Sequence, residues 1–324
     1  MKIFVCVNPA SAAGRTGKRW PEIAAAIRSR LGDFESAFTQ TSREAGKLVR
    51  QALLGGADLI VSVGGDGTHN EVVQGFFTDE HTPTPVRPGA TLAIVPTGTG
   101  GDLRRTLGLP RDPLEAIKLL ADRKRIVDVG HLEFTRHDGG PGAAYFINVC
   151  SFGMSGLVDK IVNESSKAFG GRLSFLLGVG QASLKYKNQG VRLRLDGGEW
   201  LTRTVNNVAI ANARYYGGGM MIAPDADPGD GLFDVVIVGD VGTFEMVAAL
   251  GPLYSGKHVG RDKIEVYRAR RIEAVPASAG EVVLIDLDGE QPGRLPGILT
   301  VIPGALKICV GPNVADDVVC DADA

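Results

Sequence analysis

The pattern of hydrophobic positions differs between the two parts of the chain. Up to about residue 127, short apolar runs alternate with segments whose apolar residues recur every three or four positions. Asp58–Val63 is typical of a buried parallel strand, and Trp20–Leu31 has helical spacing of Ile23, Ile27 and Leu31. Alternating strands and helices predict a parallel sheet with helices on both faces.

The later part is rich in short β-like runs separated by turn residues, which predicts an antiparallel β-sandwich. The predicted strands include Thr204–Ala211 and Ile298–Ile302. A final strand, Leu306–Val310, could close either domain. We therefore expect an α/β domain at residues 1–127, to which 303–314 could return, and a β-sandwich domain at 128–302.

Composition and charge narrow the class of protein. The chain has 324 residues, enough for two domains of ~150 residues. Its formal net charge of −2 gives no basic field, so we expect no nucleic-acid partner. No run approaches ~18 apolar residues, and we expect no transmembrane helix. Four cysteines without metal-ligand spacing predict reduced thiols in a cytoplasmic protein.

The most informative motif is GGDGTHNE, which follows the predicted strand Asp58–Val63 and leads into a predicted helix. A strand, a glycine turn and a helix bring backbone amides and a helix N-terminus up to a phosphate. The carboxylate of Asp66 would repel that phosphate unless a divalent cation lay between them. The motif therefore indicates nucleotide phosphate with magnesium, and hence a kinase. The alternative is an ordinary turn in which Asp66 caps a helix.

Two other loops are expected at the same edge of the sheet, since ligands on parallel sheets bind beyond the carboxyl ends of the strands. Asn8–Lys18 follows the first strand and offers small residues and cations near a helix start. The alternative interpretation of this loop is a solvated turn between a strand and a helix. Pro96–Arg105 contains Thr99, which can bond a phosphate oxygen, and Asp102, which can hold a cation or cap a helix.

Two clusters of carboxylates lie in the β-rich part. Ala223–Leu232 carries three aspartates among turn residues, and such oxygen ligands suit magnesium or calcium. The alternative is that this segment is a plain turn rich in Asp and Gly. In Ile285–Glu290, period-two alternation predicts that Asp286 and Asp288 share a strand face, with Glu290 just past a turn. A carboxylate there could take a proton from an attacking hydroxyl. The alternative is that the segment is the solvated end of a hairpin.

Five segments in this order resemble the diacylglycerol kinase catalytic-domain family, which includes sphingosine and ceramide kinases. They are NPAS at Asn8–Ser11, GGDGTHNEVVQG at Gly64–Gly75, PTGTGGDLRRTLGLP at Pro96–Pro110, GGGMMIAPDADPGDGLFDVVIV at Gly217–Val238 and LDGE at Leu287–Glu290. The resemblance implies a phosphofructokinase-like ATP domain and a β-sandwich domain for the lipid substrate. It also implies transfer of the γ-phosphoryl group of ATP to a lipid hydroxyl, with diacylglycerol giving phosphatidic acid as the first expectation.

The resemblance also implies roles for individual residues. Asp66 and Asp102 would hold the phosphate-bound Mg²⁺ and its waters, and Glu290, with Asp288 beside it, would accept the proton. Asp230, with main-chain oxygens near Asp227 and Leu232, resembles a structural magnesium site. The ATP site would be lined by Asn8, Pro9, Ala10, Ser11, Thr41, Gly64, Gly65, Asp66, Gly67, Thr68, His69, Asn70, Glu71 and Thr99.

This chain departs from the family pattern at a few positions. Gly101 stands where the family usually has Asn, and Gly14 comes one position late in the first loop. Gly229-Asp230-Gly231 lacks a carboxylate that bacterial members often have. His69 replaces a common apolar residue.

Other functions remain open at this point. They are a sphingoid-base or ceramide kinase, an NAD kinase, and a non-catalytic regulator that binds lipid or nucleotide. We expect the protein to meet its lipid substrate at a membrane surface, as a peripheral protein, and a homodimer is compatible with the sequence. The predicted docking surface combines the apolar segment Phe169–Val179 with Arg172, Lys185, Lys187, Arg192 and Arg194.

Overall fold

The computed structural model describes residues 1–157, 186–314 and 318–319. The chain forms two units: unit 1 comprises Met1–Val129 and Pro303–Ala324, and unit 2 comprises Gly130–Ile302. The predicted lipid-facing segment Phe169–Val179 lies outside the described residues, as do Arg172 and Lys185. No helix in the described part of the chain is both long enough and apolar enough to cross a bilayer.

Unit 1 alternates strands and helices along the chain. The elements are β1 (Ile3–Val7), α1 (Arg15–Leu31), β2 (Glu35–Phe38), α2 (Glu44–Leu54), β3 (Leu59–Gly64), α3 (Asp66–Gln74), β4 (Thr91–Pro96), α4 (Asp102–Thr106) and α5 (Pro113–Lys118). The parallel order of the sheet is β2-β1-β3-β4, and Lys307–Ile308 pair in parallel with β4 on its other side.

The central strands of this sheet are buried on both faces. Val5 and Val7 pack with Ile23 and Ile27 of α1 in one apolar cluster. The alternate strand residues point to the opposite face and are buried as well, since every residue of β1, β3 and β4 is buried. Two buried faces explain why these strands read as continuous apolar runs rather than as alternating patterns.

Helix α1 of unit 1 begins earlier than the apolar spacing predicts. It begins at Arg15 instead of Trp20, directly after Gly14, whose φ of 81° turns the chain into the helix. Its first turn consists of small and polar residues, which hydrophobic spacing cannot detect. Helix α3, predicted over Gly67–Phe77, begins one residue earlier, at Asp66, and ends at Gln74.

Unit 2 is mainly antiparallel β-structure. Two of its strands, β5 (Lys124–Arg136) and β17 (Gly293–Cys309), continue across the boundary into unit 1. The remaining elements of the chain are β5 (Lys124–Arg136), β6 (Pro141–Phe146), β7 (Val149–Gly153), β8 (Gln189–Leu195), β9 (Trp200–Val205), β10 (Asn207–Ala211), β11 (Tyr215–Tyr216), β12 (Met220–Met221), β13 (Phe233–Val238), α6 (Thr243–Tyr254), β14 (Ile264–Ala269), β15 (Arg271–Pro276), β16 (Ile285–Leu287), β17 (Gly293–Cys309) and β18 (Val318–Val319).

Two antiparallel sheets of unit 2 share one apolar core. One sheet has the order β14-β13-β10-β7-β16, and the other contains β17-β15-β8-β9. Phe152 and Val235 from the first sheet and Leu193 and Leu299 from the second belong to the same buried cluster. The predicted fold class is confirmed: an α/β unit with a parallel sheet and an antiparallel β-sandwich.

Two predicted strand boundaries in the β-rich part are wrong. Thr204–Ala211 is not one strand, because Asn206 separates β9 from β10 and these belong to different sheets. Ile298–Ile302 and Leu306–Val310 were expected to be separate, yet one strand, β17, runs through them. Pro303-Gly304 does not end that strand, and the amide of Gly304 donates to Asp128 Oδ1 (2.8 Å) within unit 1.

Candidate functional site

Three loops meet beyond the carboxyl ends of β1, β3 and β4. Asn8 Nδ2 donates to Thr68 Oγ1 (2.9 Å), which joins the first loop to the glycine motif. Thr16 Oγ1 donates to Thr97 Oγ1 (2.8 Å), which joins the start of α1 to the third loop. Neither Thr16 nor Thr97 was predicted as a site residue, because a threonine in a loop carries no motif signal of its own.

Glycine allows the second and third loops to touch. A Cβ atom on Gly98 would lie 2.5 Å from the Cα of Gly65, a separation too short for any side chain. Residue Gly65 also precedes α3 and offers no side-chain cap. The first amides of α3 have no intrahelical acceptor and carry the positive end of the helix dipole. This edge of the sheet therefore combines close backbone packing with amides suited to an anion.

The carboxylate of Asp66 ties α3 to α4. Its Oδ2 accepts from the amide of Gly101 (2.6 Å), and its Oδ1 accepts from the amide of Leu103 (3.2 Å). Asp66 thus caps a helix, as the alternative interpretation expected, but the helix is α4 rather than its own. Each carboxylate oxygen has a further lone pair, so these bonds leave room for a cation ligand. One or two carboxylates together with substrate phosphates are a usual ligand set for Mg²⁺, and Asp66 fits that role.

Asp102 is buried at the start of α4 and already has a cationic neighbour. Arg105 Nη1 donates to Asp102 Oδ1 (2.8 Å) and to the carbonyl of Gly100 (2.6 Å). Gly101 between them has a φ of 65°, and a Cβ there would lie 2.6 Å from Arg104 Nε. The family's usual Asn also tolerates left-handed backbone, so Gly101 preserves the backbone conformation without the side-chain amide.

Other residues predicted to line the ATP site lie in the loops after β1, β2 and β4. Thr41 and Thr99 are exposed at the loops after β2 and β4. In the first loop, the amide of Ala10 donates to Asn8 Oδ1 (3.1 Å) and the carbonyl of Pro9 accepts from Gly17 (3.1 Å). Ser11 lies near Gly65, since a Cβ on that glycine would be 3.7 Å from Ser11 Oγ.

His69, Asn70 and Glu71 lie further along α3. His69 Nδ1 is 2.8 Å from Ser62 Oγ in the interior, and burial lowers the pKa of this histidine to about 4. Its side chain is therefore a neutral packing group. Asn70 is buried and its Oδ1 accepts from Gln74 (3.3 Å), while Glu71 Oε2 accepts from the amide of Ala45 (3.4 Å). These three side chains bond to residues of the sheet and of neighbouring helical turns.

In unit 2, Leu287–Glu290 forms a tight hairpin. The amide of Leu287 donates to the carbonyl of Glu290 (2.7 Å), and the reverse bond is 3.0 Å. Asp288 and Gly289 have φ values of 50° and 88°, as a two-residue type I′ turn requires. The expected alternation of Asp286 and Asp288 on one strand face is wrong, because β16 ends at Leu287. The glutamate side chain is exposed.

Asp288 and Asp286 hold this hairpin in place. The carboxylate of Asp288 accepts from the amides of Val149 (2.8 Å) and Ile147 (3.2 Å). Burial raises its pKa to about 7, against the opposing effect of those amides. Asp286 accepts from the amide of Gly289 (2.9 Å) and from Ser151 Oγ (3.0 Å). Asp288 thus anchors the turn, and Glu290 is the carboxylate that the turn exposes.

In the turn that contains Asp227 and Asp230, predicted as a structural magnesium site, the carboxylate of Asp230 already has a cationic partner. Asp230 Oδ1 accepts from the amide of Leu232 (3.0 Å), and its Oδ2 contacts the guanidinium of Arg268. Asp227 Oδ1 accepts from the amide of Gly229 (3.0 Å). Arg268 supplies the positive charge that a metal would bring to Asp230. Among the described residues, no group of three Asp, Glu, His or Cys side chains could hold a metal ion.

Two cations of the predicted docking surface bind an aromatic ring. The guanidinium carbons of Arg192 and Arg194 lie 4.9 and 5.0 Å from the ring centre of Trp200. Arg194 also forms an ion pair with Glu273 (2.5 Å). Lys187 is exposed.

Comparison with known proteins identifies the family. Residues 2–132 match the diacylglycerol kinase catalytic domain, and residues 148–310 match the YegS C-terminal NAD kinase beta sandwich-like domain. A diacylglycerol kinase of Mycobacterium tuberculosis is 26% identical over 95% of this chain and 94% of its own length. A Pseudomonas aeruginosa protein named "Probable lipid kinase YegS-like" is 30% identical over 88% and 87%.

A solved structure from Bacillus anthracis superposes with a TM-score of 0.76 at 26% identity and covers 97% of this chain and 96% of that one. The sequence match, the two domain matches and the shared fold agree with one another. The chain belongs to the family of diacylglycerol kinases and YegS-like lipid kinases, and it is a kinase.

Proposed function

We propose that this protein transfers the γ-phosphoryl group of ATP to the hydroxyl of diacylglycerol, giving phosphatidic acid at a membrane surface. The observation that carries the proposal is the junction of the three loops, where Gly65 and Gly98 touch beside the first amides of α3. Such a backbone surface suits the phosphates of a nucleotide. The named diacylglycerol kinases among the relatives support diacylglycerol as the acceptor.

The residues of unit 1 would bind and orient the triphosphate. Amides at the start of α3 would donate to its oxygens, and the bond between Asn8 and Thr68 fixes the first loop beside them. Asp66 would hold Mg²⁺, which supplies charge neutralisation on the phosphate oxygens when bound. The bonds from Gly101 and Leu103 fix the orientation of the Asp66 carboxylate before a nucleotide arrives.

Glu290 would accept the proton of the attacking hydroxyl. The new bond joins the lipid oxygen to the γ-phosphorus, the bond from that phosphorus to the β–γ bridging oxygen breaks, and ADP leaves with the electron pair. The carboxylate of Glu290 suits this role because it is exposed on a hairpin whose shape Asp286 and Asp288 fix. A group held in this way needs little reorganisation before proton transfer.

The test is a panel of acceptors with radiolabelled ATP. Diacylglycerol, a sphingoid base and ceramide are presented in detergent micelles, NAD is added in solution, and the products are separated by chromatography. We expect label in phosphatidic acid. Label only in a sphingolipid or in NADP would overturn the choice of acceptor, and ATP binding without label in any product would indicate a non-catalytic regulator.

A further inference from the structure

The side chain of Arg104 lies across the backbone of Gly101 in the third loop. A Cβ atom on Gly101 would be 2.6 Å from Arg104 Nε and 3.2 Å from both Arg104 Cγ and Cδ. The first of these separations is too short for a real Cβ atom, so the arginine occupies space that a side chain at position 101 would need. The missing side chain of Gly101 and the position of Arg104 therefore depend on each other.

This arrangement brings Arg104 close to the carboxylate of Asp66. The amide of Gly101 donates to Asp66 Oδ2 (2.6 Å). This bond, the 2.6 Å approach of Arg104 Nε to the Cβ position and the covalent bonds of Gly101 together keep Nε within ~8 Å of Asp66 Oδ2. A guanidinium bonds a phosphate oxygen at ~2.8 Å. A phosphate that lies beside Asp66 is thus within reach of Arg104.

Most hydrogen-bond donors of Arg104 are unused within the described part of the chain. Its guanidinium donates there from Nη1 to the carbonyl of Leu109 at 3.4 Å, which is longer than an ordinary bond, and it forms no ion pair with a described residue. The neighbouring Arg105 differs, because it donates to Asp102 (2.8 Å) and to the carbonyl of Gly100 (2.6 Å). Arg105 holds the loop together, whereas Arg104 has donors left for a ligand.

The charges around Arg104 favour an anion at this position. Arg104 is half-buried. Burial, followed by the cations Arg105 and Arg111, lowers the pKa of Arg104, while Asp66 and Asp102 act in the opposite direction. A partly desolvated guanidinium next to other cations is stabilised when an anion binds to it. Phosphate suits it best, because the planar guanidinium can bond two phosphate oxygens at once.

We propose that Arg104 binds a phosphate of the nucleotide, in the space that the missing side chain of Gly101 leaves open. This inference rests on the proposed function, because it takes the junction of the three loops as the nucleotide site. It adds a cation of this chain to the phosphate contacts made by the amides of α3. Arg104 takes part in binding, and the bonds that form and break in the proposed transfer are unchanged.

The test measures binding of MgATP to the full chain by calorimetry, without lipid. Arg104→Gln removes the charge and keeps a long side chain over Gly101, so we expect Kd to rise ~10–100-fold at an unchanged melting temperature. The matched control is Arg28→Gln, at an exposed arginine in the last turn of α1. Arg28 lies ~20 Å along the helix from the first loop, and its replacement should leave Kd unchanged.

A second pair of variants tests the dependence of Arg104 on Gly101. Asn tolerates the φ of 65° at this position, so Gly101→Asn should fold and should displace the arginine. In the wild-type background it should therefore weaken MgATP binding about as much as Arg104→Gln does. In an Arg104→Ala background, where the space is already empty, Gly101→Asn should not weaken binding further.

The outcomes separate this inference from the proposed function. Tight MgATP binding by wild type with an unchanged Kd in Arg104→Gln would overturn the role of Arg104 and leave the nucleotide site standing. Equal losses from Gly101→Asn in both backgrounds would likewise show that the arginine does not act in the space beside Gly101. If wild type binds no MgATP, the proposed function and this inference both fail.

Discussion

Ala12 and Ala13 adopt left-handed backbone conformations in the loop after β1, with φ values of 53° and 56°. Gly14 follows with a φ of 81°, so three consecutive residues share this conformation. An L-residue with a side chain is disfavoured there, and such strain concentrates where a loop must present its amides in a defined geometry. Gly14 comes one position late in this loop, and the chain reaches it through left-handed conformations at Ala12 and Ala13.

Replacing Ala13 with Gly should stabilise the protein by ~0.5–1 kcal/mol, because relief of the left-handed strain exceeds the entropy cost of glycine. The matched control is Ala25→Gly, at an exposed position inside α1, which should destabilise by about 1 kcal/mol. Urea unfolding measures both changes. If Ala13→Gly lowers the free energy of unfolding as Ala25→Gly does, the strained loop is not present in solution.

Asp66 combines a structural role with the proposed binding of Mg²⁺. Asp66→Asn should lower the rate by on the order of 10²-fold or more, because the carboxylate charge is lost. It should also destabilise by ~1–2 kcal/mol, since an amide cannot accept from both Gly101 and Leu103.

The control for Asp66→Asn is another capping carboxylate. Asp112 accepts from the amides of Leu114 (2.9 Å) and Glu115 (3.2 Å) at the start of α5. Asp112→Ala should cost about 1 kcal/mol in stability and leave the rate unchanged. Near-normal turnover by Asp66→Asn would remove Asp66 from the proposed metal site.

His69 makes the stability of the protein depend on pH. Its pKa is about 4 in the folded state and near the ordinary 6.5 when unfolded, so between these values the unfolded chain binds more protons. The stabilisation from neutral His69 is present above pH 6.5 and is lost as the pH falls toward 4. Across this range the loss should be on the order of 3 kcal/mol.

His69→Leu should remove that dependence. Urea unfolding between pH 4.5 and 7 should show that wild type loses stability relative to the variant as the pH falls. Any constant offset reflects the lost bond to Ser62 and does not affect the comparison. Parallel pH curves would show that His69 is protonated equally in the folded and unfolded chains.

Among the helices and strands, hydrophobic periodicity was sufficient to predict the buried strands. It was not sufficient to predict where strands and helices begin and end. β3 and β4 are continuous apolar runs, and they lie next to each other as the parallel pattern requires. Helix α1 starts at Arg15, before the first apolar position of its pattern, because its first turn is small and polar. The pairing of β9 and β10 with different sheets depends on long-range contacts that a local pattern does not contain.

The candidate site could likewise be predicted only in part, because its turns depend on neighbouring residues and its hydrogen bonds on distant ones. The GGDG and LDGE turns could be read locally, because Asp-Gly pairs and glycine runs favour particular turns. The partners of their carboxylates could not be read in this way. Asp66 bonds to Gly101 and Leu103, and Asp288 bonds to Ile147 and Val149, residues far away along the chain. Arg268 likewise reaches Asp230 from a different strand, β14.

The contact between Arg268 and Asp230 has a consequence for metal dependence. We expect the melting temperature of the nucleotide-free protein to be the same with EDTA and with millimolar Mg²⁺, because a guanidinium already neutralises Asp230. Arg268→Gln should cost at most about 1 kcal/mol, since both side chains of this pair are partly exposed. A melting temperature that rises markedly with Mg²⁺ in wild type would restore a structural magnesium at Asp230.

At the scale of the whole molecule, the family assignment and the two units agree with a kinase. In the proposed mechanism, the joined loops of unit 1 bind the phosphates and Glu290 of unit 2 accepts the proton. Each role rests on groups whose orientation the fold determines through bonds to distant residues. Phosphoryl transfer depends mainly on such positioning and on charge neutralisation.

The most direct test follows the phosphorus label in a single turnover. Purified protein in excess over ATP is mixed with diacylglycerol micelles, once with label at the γ-phosphorus and once at the α-phosphorus. We expect labelled phosphatidic acid from γ-labelled ATP alone, with transfer at least ~10²-fold slower in Glu290→Gln at unchanged stability. Lipid labelled equally from both nucleotides, no labelled lipid, or a normal rate in Glu290→Gln would contradict the proposed mechanism.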